Sequence, residues 1–335
     1  MSSLSVPVSY RSSLSVYETQ IAIGIIKRIF EDKLGQDLNL SRVSAPLFVE
    51  PNTGLNDNLS GVERPVEFEI KETGTNAQVV QSLAKWKRMA LYNYDFPVGT
   101  GLYADMNAIR RDDRMDNLHS IYVDQWDWEK TIDLSSRNMD FLKETVVAIV
   151  NAICDTADLI KLQFPVLQTS LSRSVKFITS QELEDIYPNF TSNERENAVC
   201  KDFGTVFIMQ IGDVLKSGSK HDDRAPDYDD WSLNGDIMFW SEPLGCAMEL
   251  SSMGIRVDEK SLDYQLTKAH CDHRRELVYH QKLLAGELPL SIGGGIGQSR
   301  LCMLLLDKAH VGEVQVSVWD KKTLDGCKAA GIELL

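Results

Sequence analysis

The sequence lacks the features of membrane, secreted and disulfide-stabilised proteins. Its 335 residues include only six cysteines, at positions 154, 200, 246, 271, 302 and 327, and no two of them have C-x-x-C spacing. A chain of this length can bury a core without cross-links, so we expect reduced thiols. No apolar run approaches the roughly 20 residues of a membrane-spanning helix, and no basic segment followed by an apolar core begins the sequence. These absences favour a cytoplasmic protein without a membrane partner.

Basic residues are also scarce. The chain has 35 Lys and Arg against 49 Asp and Glu, a formal net charge of −14. Because phosphate contacts dominate affinity for nucleic acids, the lack of a broad basic surface argues against DNA or tRNA as a partner. A local basic pocket for a small phosphate ligand remains possible. With 43% hydrophobic and 25% charged residues, the composition is that of a globular protein and excludes collagen-like, disordered and coiled-coil chains.

Hydrophobic periodicity predicts helices at 17–34, 83–94, 138–160, 180–203, 258–285 (one or two) and 301–306, with Gly35 ending the first. Strands are predicted at 42–49, 65–70, 101–109, 118–128, 206–209 and 237–240, and a charged hairpin loop at 110–117. Strands without regular helix alternation favour an α+β fold, a mixed α/β arrangement with a mainly antiparallel sheet flanked by helices. No linker divides the chain, so we expect one domain over 17–335 after a mobile extension, 1–16.

A glycine-rich stretch is the first candidate site. Gly293, Gly294, Gly295 and Gly297 precede Arg300 and an apolar run. A glycine turn that opens a helix lets the backbone approach an anion. The stretch lacks the Gly-Lys-Ser/Thr of a Walker A loop and the acidic residue of a Rossmann fingerprint. The alternative is close packing of a helix on a sheet, with a surface arginine; the glycine pattern alone does not decide between them.

Two acids and an arginine form a second candidate. Asp236 and Glu249 lie on two predicted neighbouring strands, where they could share a hard cation such as Mg²⁺, which prefers oxygen ligands. Arg110 ends a predicted strand, and its planar guanidinium suits a phosphate or carboxylate. Solvated acids at a strand edge and a solvated turn arginine are the alternatives.

Two polar segments have both a functional and a structural interpretation. The acidic stretch 221–231 could bind a cation or an amine, but we expect Asp222 and Asp223 to be solvated. The stretch 270–273, His-Cys-Asp-His, followed by His280, superficially looks like a metal cluster, but it matches no established zinc spacing.

Taken in order, these features resemble the three motifs of class II aminoacyl-tRNA synthetases, most closely the aspartyl and asparaginyl branch. A closer resemblance is to the ammonia-dependent asparagine synthetases, or aspartate–ammonia ligases. It covers the chain from about residue 17 onward and is carried by the blocks 57–61, 82–88, 122–129, 224–231 and 249–256. Two departures are a short connection between Trp231 and Asp236 and a Gln81 where a histidine often precedes the serine.

The resemblance implies synthesis of L-asparagine from L-aspartate, ammonia and ATP through a β-aspartyl-adenylate, with Mg²⁺, AMP and pyrophosphate. It implies catalytic roles for Asp57, Arg110 and Arg300. The implied aspartate-binding residues are Ser82, Lys87, Gln125, Asp127 and Arg256. The implied ATP-binding residues are Arg110, Ser120, Arg224, Asp229, Asp236, Gly295, Gly297 and Arg300. The implied metal ligands are Asp236, Glu249 and Ser252.

The resemblance also implies a homodimer formed through the first helix, with its stripe Ile21, Ile25 and Ile29, and the strand around Pro46. Two rival functions are a true aminoacyl-tRNA synthetase, which needs an anticodon-binding module and a basic face, and a sensor without turnover. Sensors of this kind usually lose active-site arginines or acids, whereas Arg110, Asp236, Glu249 and Arg300 are all present. Glutamine is disfavoured as nitrogen donor because no N-terminal cysteine or glutaminase domain is evident.

Overall fold

The computed structural model describes residues 10–57, 59 and 63–335. The strands of this part of the chain are β1 (Leu40–Arg42), β2 (Phe48–Val49), β3 (Glu67–Ile70), β4 (Thr75–Val79), β5 (Gly101–Ile109), β6 (Tyr122–Thr131), β7 (Lys176–Thr179), β8 (Thr205–Met209), β9 (Asp229–Ser241), β10 (Cys246–Arg256) and β11 (Ser291–Gly297). The α-helices are α1 (Val16–Leu38), α2 (Ala84–Asn93), α3 (Met139–Gln163), α4 (Ser180–Ile186), α5 (Ser192–Phe203), α6 (Glu259–Lys268), α7 (Val278–Leu284), α8 (Gln298–Leu305) and α9 (Lys321–Ala329).

One large sheet organises the molecule. Its eight strands follow the order β1-β5-β6-β11-β10-β9-β8-β7, and only the outer pairs β1–β5 and β7–β8 are parallel. A second, antiparallel sheet has the order β2-β4-β3. The predicted α+β fold with a mainly antiparallel sheet is confirmed.

The two faces of the large sheet differ in chemistry. On one face the main apolar core packs beneath the long helices α1 and α3, and it includes Trp126 and Trp128 of β6, Ile292 and Ile296 of β11, and Met253 of β10. Because successive strand side chains point to opposite faces, the residues between these apolar positions face the other way. That second face is polar and carries the candidate site.

The first helix runs one turn further than predicted. A capping box from Ser15 and Glu18 starts it, and it continues through Gly35 to Leu38, which is buried. Asn39 ends the helix in the left-handed conformation, with φ of 58°. The predicted stop at Gly35 is wrong because an apolar contact with the core at Leu38 outweighs the weak helix preference of one glycine.

Other element boundaries also differ from the prediction, and two of these differences have a clear cause in the sequence. The helix predicted over 180–203 is two helices, because Thr191 begins α5 with a capping box of its own. The strand predicted over 42–49 is split into β1 and β2, with Pro46 between them.

The start of the described chain packs on the domain. The hydroxyl of Tyr10 donates to the Glu313 carboxylate at 2.8 Å, and Leu14 is buried in the main core. From Tyr10 onward the predicted extension thus makes apolar and hydrogen-bonding contacts with the domain; residues 1–9 lie outside the described part. Within the described ranges, no helix combines the length and apolar character needed to cross a membrane.

Gly101 shows how closely β5 approaches its neighbour, and it generates the first prediction. A Cβ at this position would lie 2.2 Å from the Glu129 carbonyl oxygen and 2.7 Å from Lys130 Cα, both backbone atoms of β6. Gly101→Ala should therefore lower the free energy of unfolding by about 1–3 kcal/mol, as overpacking does. Urea denaturation measures the change.

The matched control is Gly24→Ala in α1, where an added Cβ meets no atom within 4 Å. This substitution should raise the free energy of unfolding by about 0.5–1 kcal/mol, because alanine favours a helix. Equal effects of the two substitutions would contradict the steric argument.

Candidate active site

A cleft with two connected lobes lies over the polar face of the large sheet. The Lys87 lobe, a cavity of about 460 Å³, is lined by Lys87, Asp57 and Arg256 among others. The Arg300 lobe, a cavity of about 430 Å³, is lined by Arg300, Ser120 and Gly297 among others. Three residues line both lobes and mark their junction: Arg110, Gln125 and Glu249.

The floor of the cleft depends on the glycines of β11. Gly293, Gly295 and Gly297 pair across the ladder with Glu129, Asp127 and Gln125 of β6. A Cβ on Gly293 would lie 2.0 Å from Glu129 Oε2, and one on Gly295 would lie 2.5 Å from Gln125 Oε1. The glycines thus make room for long polar side chains. The interpretation of this stretch as a turn opening a helix is wrong: it is a strand, and α8 begins only at Gln298.

Strand pairing also brings the more distant motif residues together. Ser252 of β10 lies opposite Gly295 of β11 on one side and Asp236 of β9 on the other. Arg256 lies opposite Asp229 in the same pair of strands. Four adjacent strands therefore present the predicted aspartate, ATP and metal residues of this region in one continuous row.

The charged side chains of the Lys87 lobe are buried and paired. Lys87, from α2, donates to the Asp127 carboxylate and, at 2.7 Å, to the Gly294 carbonyl oxygen. Arg256 donates to Glu129 at 2.7 and 3.0 Å and also to Asp229. Each of these five side chains is no more than about 3% exposed. This lobe is a desolvated set of fixed charges of both signs.

Burial and pairing act in opposite directions on these groups. Burial lowers the pKa of Lys87, although the nearby Asp127 carboxylate opposes the change. Burial alone would raise the pKa of Glu129, but the Arg256 guanidinium reverses this and lowers it. Glu129 is therefore a stable anion whose role is to hold Arg256.

Asp57 is a buried carboxylate with a free oxygen. Its Oδ1 accepts from the Leu59 amide at 3.0 Å, whereas Oδ2 is buried without a partner among the residues that the structure describes. Gln81 Nε2 donates to the Asp57 carbonyl oxygen at 2.7 Å, so the unusual glutamine fixes the loop. Burial raises the pKa of Asp57; Lys85 opposes this and Asp227 adds to it. The group is suited to accepting a proton.

Arginines contact the predicted metal ligands. Arg224 donates to Asp236 Oδ2 at 2.6 Å and to the Ser252 hydroxyl. The Glu249 carboxylate lies 3.6 Å from Arg300 and is 41% exposed. Asp236 Oδ1 is buried and has no hydrogen-bond partner in the described ranges.

These residues fit a magnesium ion that shares its shell with substrate. Burial raises the pKa of Asp236 to about 7; Arg224 opposes the rise and Glu249 contributes to it. A cation would relieve the repulsion between the two acids. Among the residues described, no three His, Cys, Asp or Glu side chains form a metal cluster. The pair therefore suits Mg²⁺, which is often held by one or two carboxylates together with waters and phosphate oxygens.

The Arg300 lobe carries side chains of both signs: Arg110, Arg114 and Arg300 line it together with Asp113, Asp116, Asp124 and Glu249. Arg300 Nη1 donates to the Glu249 carbonyl oxygen at 3.0 Å, and Arg110 Nε donates to that of Gln81 at 3.2 Å. Arg114 and His119 line the same cavity. Ser120 lies 2.7 Å from the Ser317 hydroxyl. Guanidinium groups on two sides of an open cavity suit the oxygens of a polyphosphate.

Some predicted residues lie elsewhere than expected. Arg224, Asp229 and Gly295, assigned to ATP, line the Lys87 lobe and not the Arg300 lobe. Arg224 pairs there with Asp236, and Asp229 with Arg256. Asp236 lines neither lobe and reaches the cleft through Arg224. Asp222 and Asp223 are exposed, as predicted, yet they also border the Lys87 lobe.

Sequence reasoning missed a buried cluster behind the cleft. Asp227 Oδ2 accepts from Arg274 at 2.8 Å, from His280 at 2.9 Å and from Lys85 at 3.4 Å. It also missed Glu129, although Glu129 follows Asp127 by two residues and so shares its face of β6. Lys85 and Asp227 lie inside the motif blocks 82–88 and 224–231, and that was the only available signal.

Comparison with known proteins places this architecture in a family. The sequence matches the family model of aspartate–ammonia ligase over residues 17–331. The aspartate–ammonia ligase of Clostridium perfringens strain 13 is 57% identical over 336 residues, which cover 100% of both chains. That of Pediococcus pentosaceus is 56% identical over 333 residues, 99% of each chain.

The fold has a counterpart among solved structures. Asparaginyl-tRNA synthetase from Pyrococcus horikoshii, in its crystal structure complexed with asparaginyl-adenylate, superposes with a TM-score of 0.64 at 15% identity, over 90% of this chain and 68% of that one. At this identity the likeness shows the class II synthetase fold alone. The sequence matches, which extend over nearly the whole length, decide the family: the chain belongs to the aspartate–ammonia ligases.

Proposed function

We propose that the chain forms L-asparagine, AMP and pyrophosphate from L-aspartate, ammonia and ATP. The observation that carries this proposal is the junction of the two lobes at Arg110 and Glu249. One lobe offers buried charges of both signs, which suit an amino acid with three charged groups. The other offers guanidinium groups, which suit a triphosphate. A carboxylate and an α-phosphate bound in the two lobes would meet at the junction.

Aspartate binding uses the charges of the Lys87 lobe. Asp127, with Gln125 and Ser82, accepts the α-ammonium group, and Lys87 holds the α-carboxylate. The substrate's own ammonium and carboxylate then replace part of the Lys87–Asp127 pair. Arg256, kept in place by Glu129 and Asp229, faces the side-chain carboxylate. The binding charges are already desolvated and fixed, which reduces the reorganisation needed on binding.

In the first half-reaction, an oxygen of the aspartate side chain attacks the α-phosphorus and pyrophosphate leaves. Catalysis of such a step is mainly positioning and charge neutralisation. Arg110 contacts the attacking carboxylate and the α-phosphate, Arg300 the γ-phosphate and adenine, and Ser120, Arg224 and Gly297 border the nucleotide. Asp236 and Glu249, with Ser252, would hold Mg²⁺, which supplies positive charge to the phosphate oxygens when bound.

In the second half-reaction, the Asp57 carboxylate accepts one proton from ammonium. The lone pair of the resulting ammonia forms a bond to the carbonyl carbon of the β-aspartyl-adenylate. The bond from that carbon to the phosphate oxygen breaks, and its electron pair leaves with AMP. The nitrogen then releases a second proton to water to give the neutral amide. A general base in this position contributes by making the nitrogen nucleophilic.

The overall test is an assay of AMP and asparagine with aspartate, ATP, Mg²⁺ and ammonium, with and without tRNA. We expect equal amounts of the two products and no effect of tRNA or DNA. A requirement for tRNA would favour an aminoacyl-tRNA synthetase, and binding without AMP release would favour a sensor.

Asp57→Asn separates the half-reactions. The variant should release pyrophosphate in a single turnover at a near-normal rate, because Arg110, Arg300 and the metal acids are unchanged. Amide formation should fall by about 10²–10⁴, the usual contribution of a general base. Quenched-flow measurement of pyrophosphate and asparagine, with and without ammonium, checks both steps.

Loss of both steps in Asp57→Asn would show that Asp57 orients aspartate or ATP. Loss of neither would reduce it to a residue that caps its loop through the Leu59 amide.

The metal assignment is tested at Asp236 and Glu249. Replacing either by alanine should abolish Mg²⁺-dependent adenylation, because the remaining acid alone cannot neutralise the charge of the cation. Aspartate-dependent pyrophosphate exchange, titrated with Mg²⁺, measures the effect. A variant that retains near-normal exchange is not missing a metal ligand. Glu242→Ala, in the β9–β10 turn, is a control acid outside both lobes.

The chain should form a homodimer. The buried side of α1 is Ala22, Ile26, Phe30 and Leu34, whereas Ile21 is 46% exposed. Leu47 and Phe48, next to Pro46, are 53% and 43% exposed. Such apolar groups on a helix and a neighbouring strand suit a twofold interface that uses the same surface twice. Sedimentation at micromolar concentration should show twice the 37.7 kDa of one chain, and Ile21→Asp should dissociate it. A wild-type protein sedimenting as a monomer contradicts this proposal.

A further inference from the structure

The buried cluster around Asp227 lies behind the cleft and does not line it. Lys85 and Asp227 are 3% and 0% exposed, and neither lines the Lys87 lobe or the Arg300 lobe. Asp227 Oδ2 accepts from Lys85, Arg274 and His280 at 2.8–3.4 Å. These residues therefore cannot act by touching substrate, and any part they play in the reaction must pass through another residue.

The cluster carries an excess of positive charge. Burial lowers the pKa of His280, although Asp227 opposes this, so its imidazole is neutral near pH 7. Lys85 and Arg274 are then two cations around the single anion Asp227. A buried net charge is unfavourable unless another group balances it.

Asp57 is the carboxylate that can provide this balance. In the described part of the chain it makes no ion pair within 4 Å, although it is 1% exposed. The side chain of Asn56 accepts from the amides of Asp57 and of Gln81, and Gln81 in turn donates to the Asp57 carbonyl oxygen. Gln81 stands three residues before α2, and Lys85 lies in the first turn of that helix. These hydrogen bonds therefore connect the loop that carries Asp57 to the segment just before α2, the helix that carries Lys85.

We propose that Lys85 is a positioning residue for the second half-reaction: anchored by Asp227, its ammonium group keeps Asp57 ionised in a buried site so that Asp57 can accept a proton from ammonium. The inference rests on the proposed role of Asp57 and adds the group that makes that role possible. It assigns Asp227 the task of fixing Lys85 and of limiting the charge that reaches Asp57.

Charged and titratable groups reach Asp57 from every packed element. They are Lys85 on α2, Arg110 directly after β5, Asp227 and Tyr228 before β9, and Arg274 on the 3-10 helix Asp272–Glu276. Glu63 lines the same cavity as Asp57. Burial raises the pKa of Asp57, Lys85 is the leading opposing group and Asp227 reinforces burial. Removing the lysine charge should therefore raise this pKa, and removing the Asp227 charge should lower it.

Opposite shifts provide the test. Amide formation from preformed β-aspartyl-adenylate is measured in a single turnover between pH 5 and 9, with the ammonium concentration held constant. Its acid limb reports the ionisation of Asp57. Lys85→Met should move the acid limb to higher pH by about one unit, so that the reaction at pH values below the limb is roughly tenfold slower than in the wild type. Asp227→Asn should move the limb to lower pH. Lys85→Arg should have the wild-type acid limb. The acid limb of the double variant Lys85→Met/Asp227→Asn should lie close to that of the wild type.

Three further measurements keep the outcomes distinct. Lys308→Met removes another buried lysine, which is 3% exposed and donates to the hydroxyl groups of Ser12 and Thr19. This variant should leave the acid limb at its wild-type position. Pyrophosphate release in the Lys85 and Asp227 variants should keep its pH profile. In Asp57→Asn the limb should disappear.

If the limb persists in Asp57→Asn, Asp57 is not the titrating base and the proposed function of that residue fails. If it disappears there but stays in place in Lys85→Met, or moves in the same direction in Lys85→Met and Asp227→Asn, the inference about Lys85 is overturned while the role of Asp57 stands. If Lys85→Met or Asp227→Asn does not fold, the double variant Lys85→Met/Asp227→Asn provides the test, because it leaves neither of these two charges buried without the other. An acid limb of the double variant far from that of the wild type contradicts the proposed balance of the two charges.

Discussion

Five charged side chains are buried on one face of the large sheet. The rest of this structure depends on the constraint that burial of these charges imposes. Lys87, Asp127, Arg256, Glu129 and Asp229 are buried, and an unpaired charge in such a place costs several kcal/mol. Each must therefore meet a partner of opposite sign with good geometry. The glycines of β11 make this possible, since any side chain at Gly293 or Gly295 would occupy the space of Glu129 or Gln125. A strand with three glycines and one small serine on this face is what allows its neighbours to carry long polar side chains.

Pairing in the free protein also shapes how a substrate can bind. A zwitterionic amino acid with an additional carboxylate brings charges of both signs, and it can exchange with Lys87–Asp127 without leaving either charge uncompensated. Arg256 already has two carboxylate partners, Glu129 and Asp229, so it keeps its position when a ligand binds or dissociates. In the other lobe the arginines contact backbone carbonyl oxygens and a half-exposed Glu249, which are weaker partners than buried carboxylates. The arginines of that lobe can therefore exchange their present partners for phosphate oxygens.

The sequence motifs allowed the acids and arginines of the cleft to be proposed: Arg110 directly follows the predicted strand 101–109, and Asp236 and Glu249 lie on β9 and β10, whose full extents the local pattern did not reveal. It did not reveal that the glycine stretch is a strand, since glycine has a low intrinsic preference for strands and only the side chains of β6 and β10 explain its presence. The end of α1 was missed for a similar reason: burial of Leu38, a tertiary contact, decides it. Lys85 and Asp227 are separated by 142 residues, and nothing local distinguishes a buried lysine from the exposed ones of a helix. Their pairing exists only after the sheet has formed.

The role proposed for Asp57 as a base places requirements on charges that lie behind the site as well as on those inside it. A base must hold its proton strongly enough to take it from ammonium, which favours burial, yet it must be unprotonated when ammonium arrives, which burial opposes. Water would satisfy the second requirement and weaken the first. A fixed cation outside the cavity can favour ionisation without admitting water or competing for substrate. In the proposed mechanism Asp227 does more than hold that cation: without it, the lysine and the arginine would stabilise the Asp57 carboxylate so far that it became too weak a base. The balance of one acid against two cations suits a carboxylate that has to be both ionised and basic.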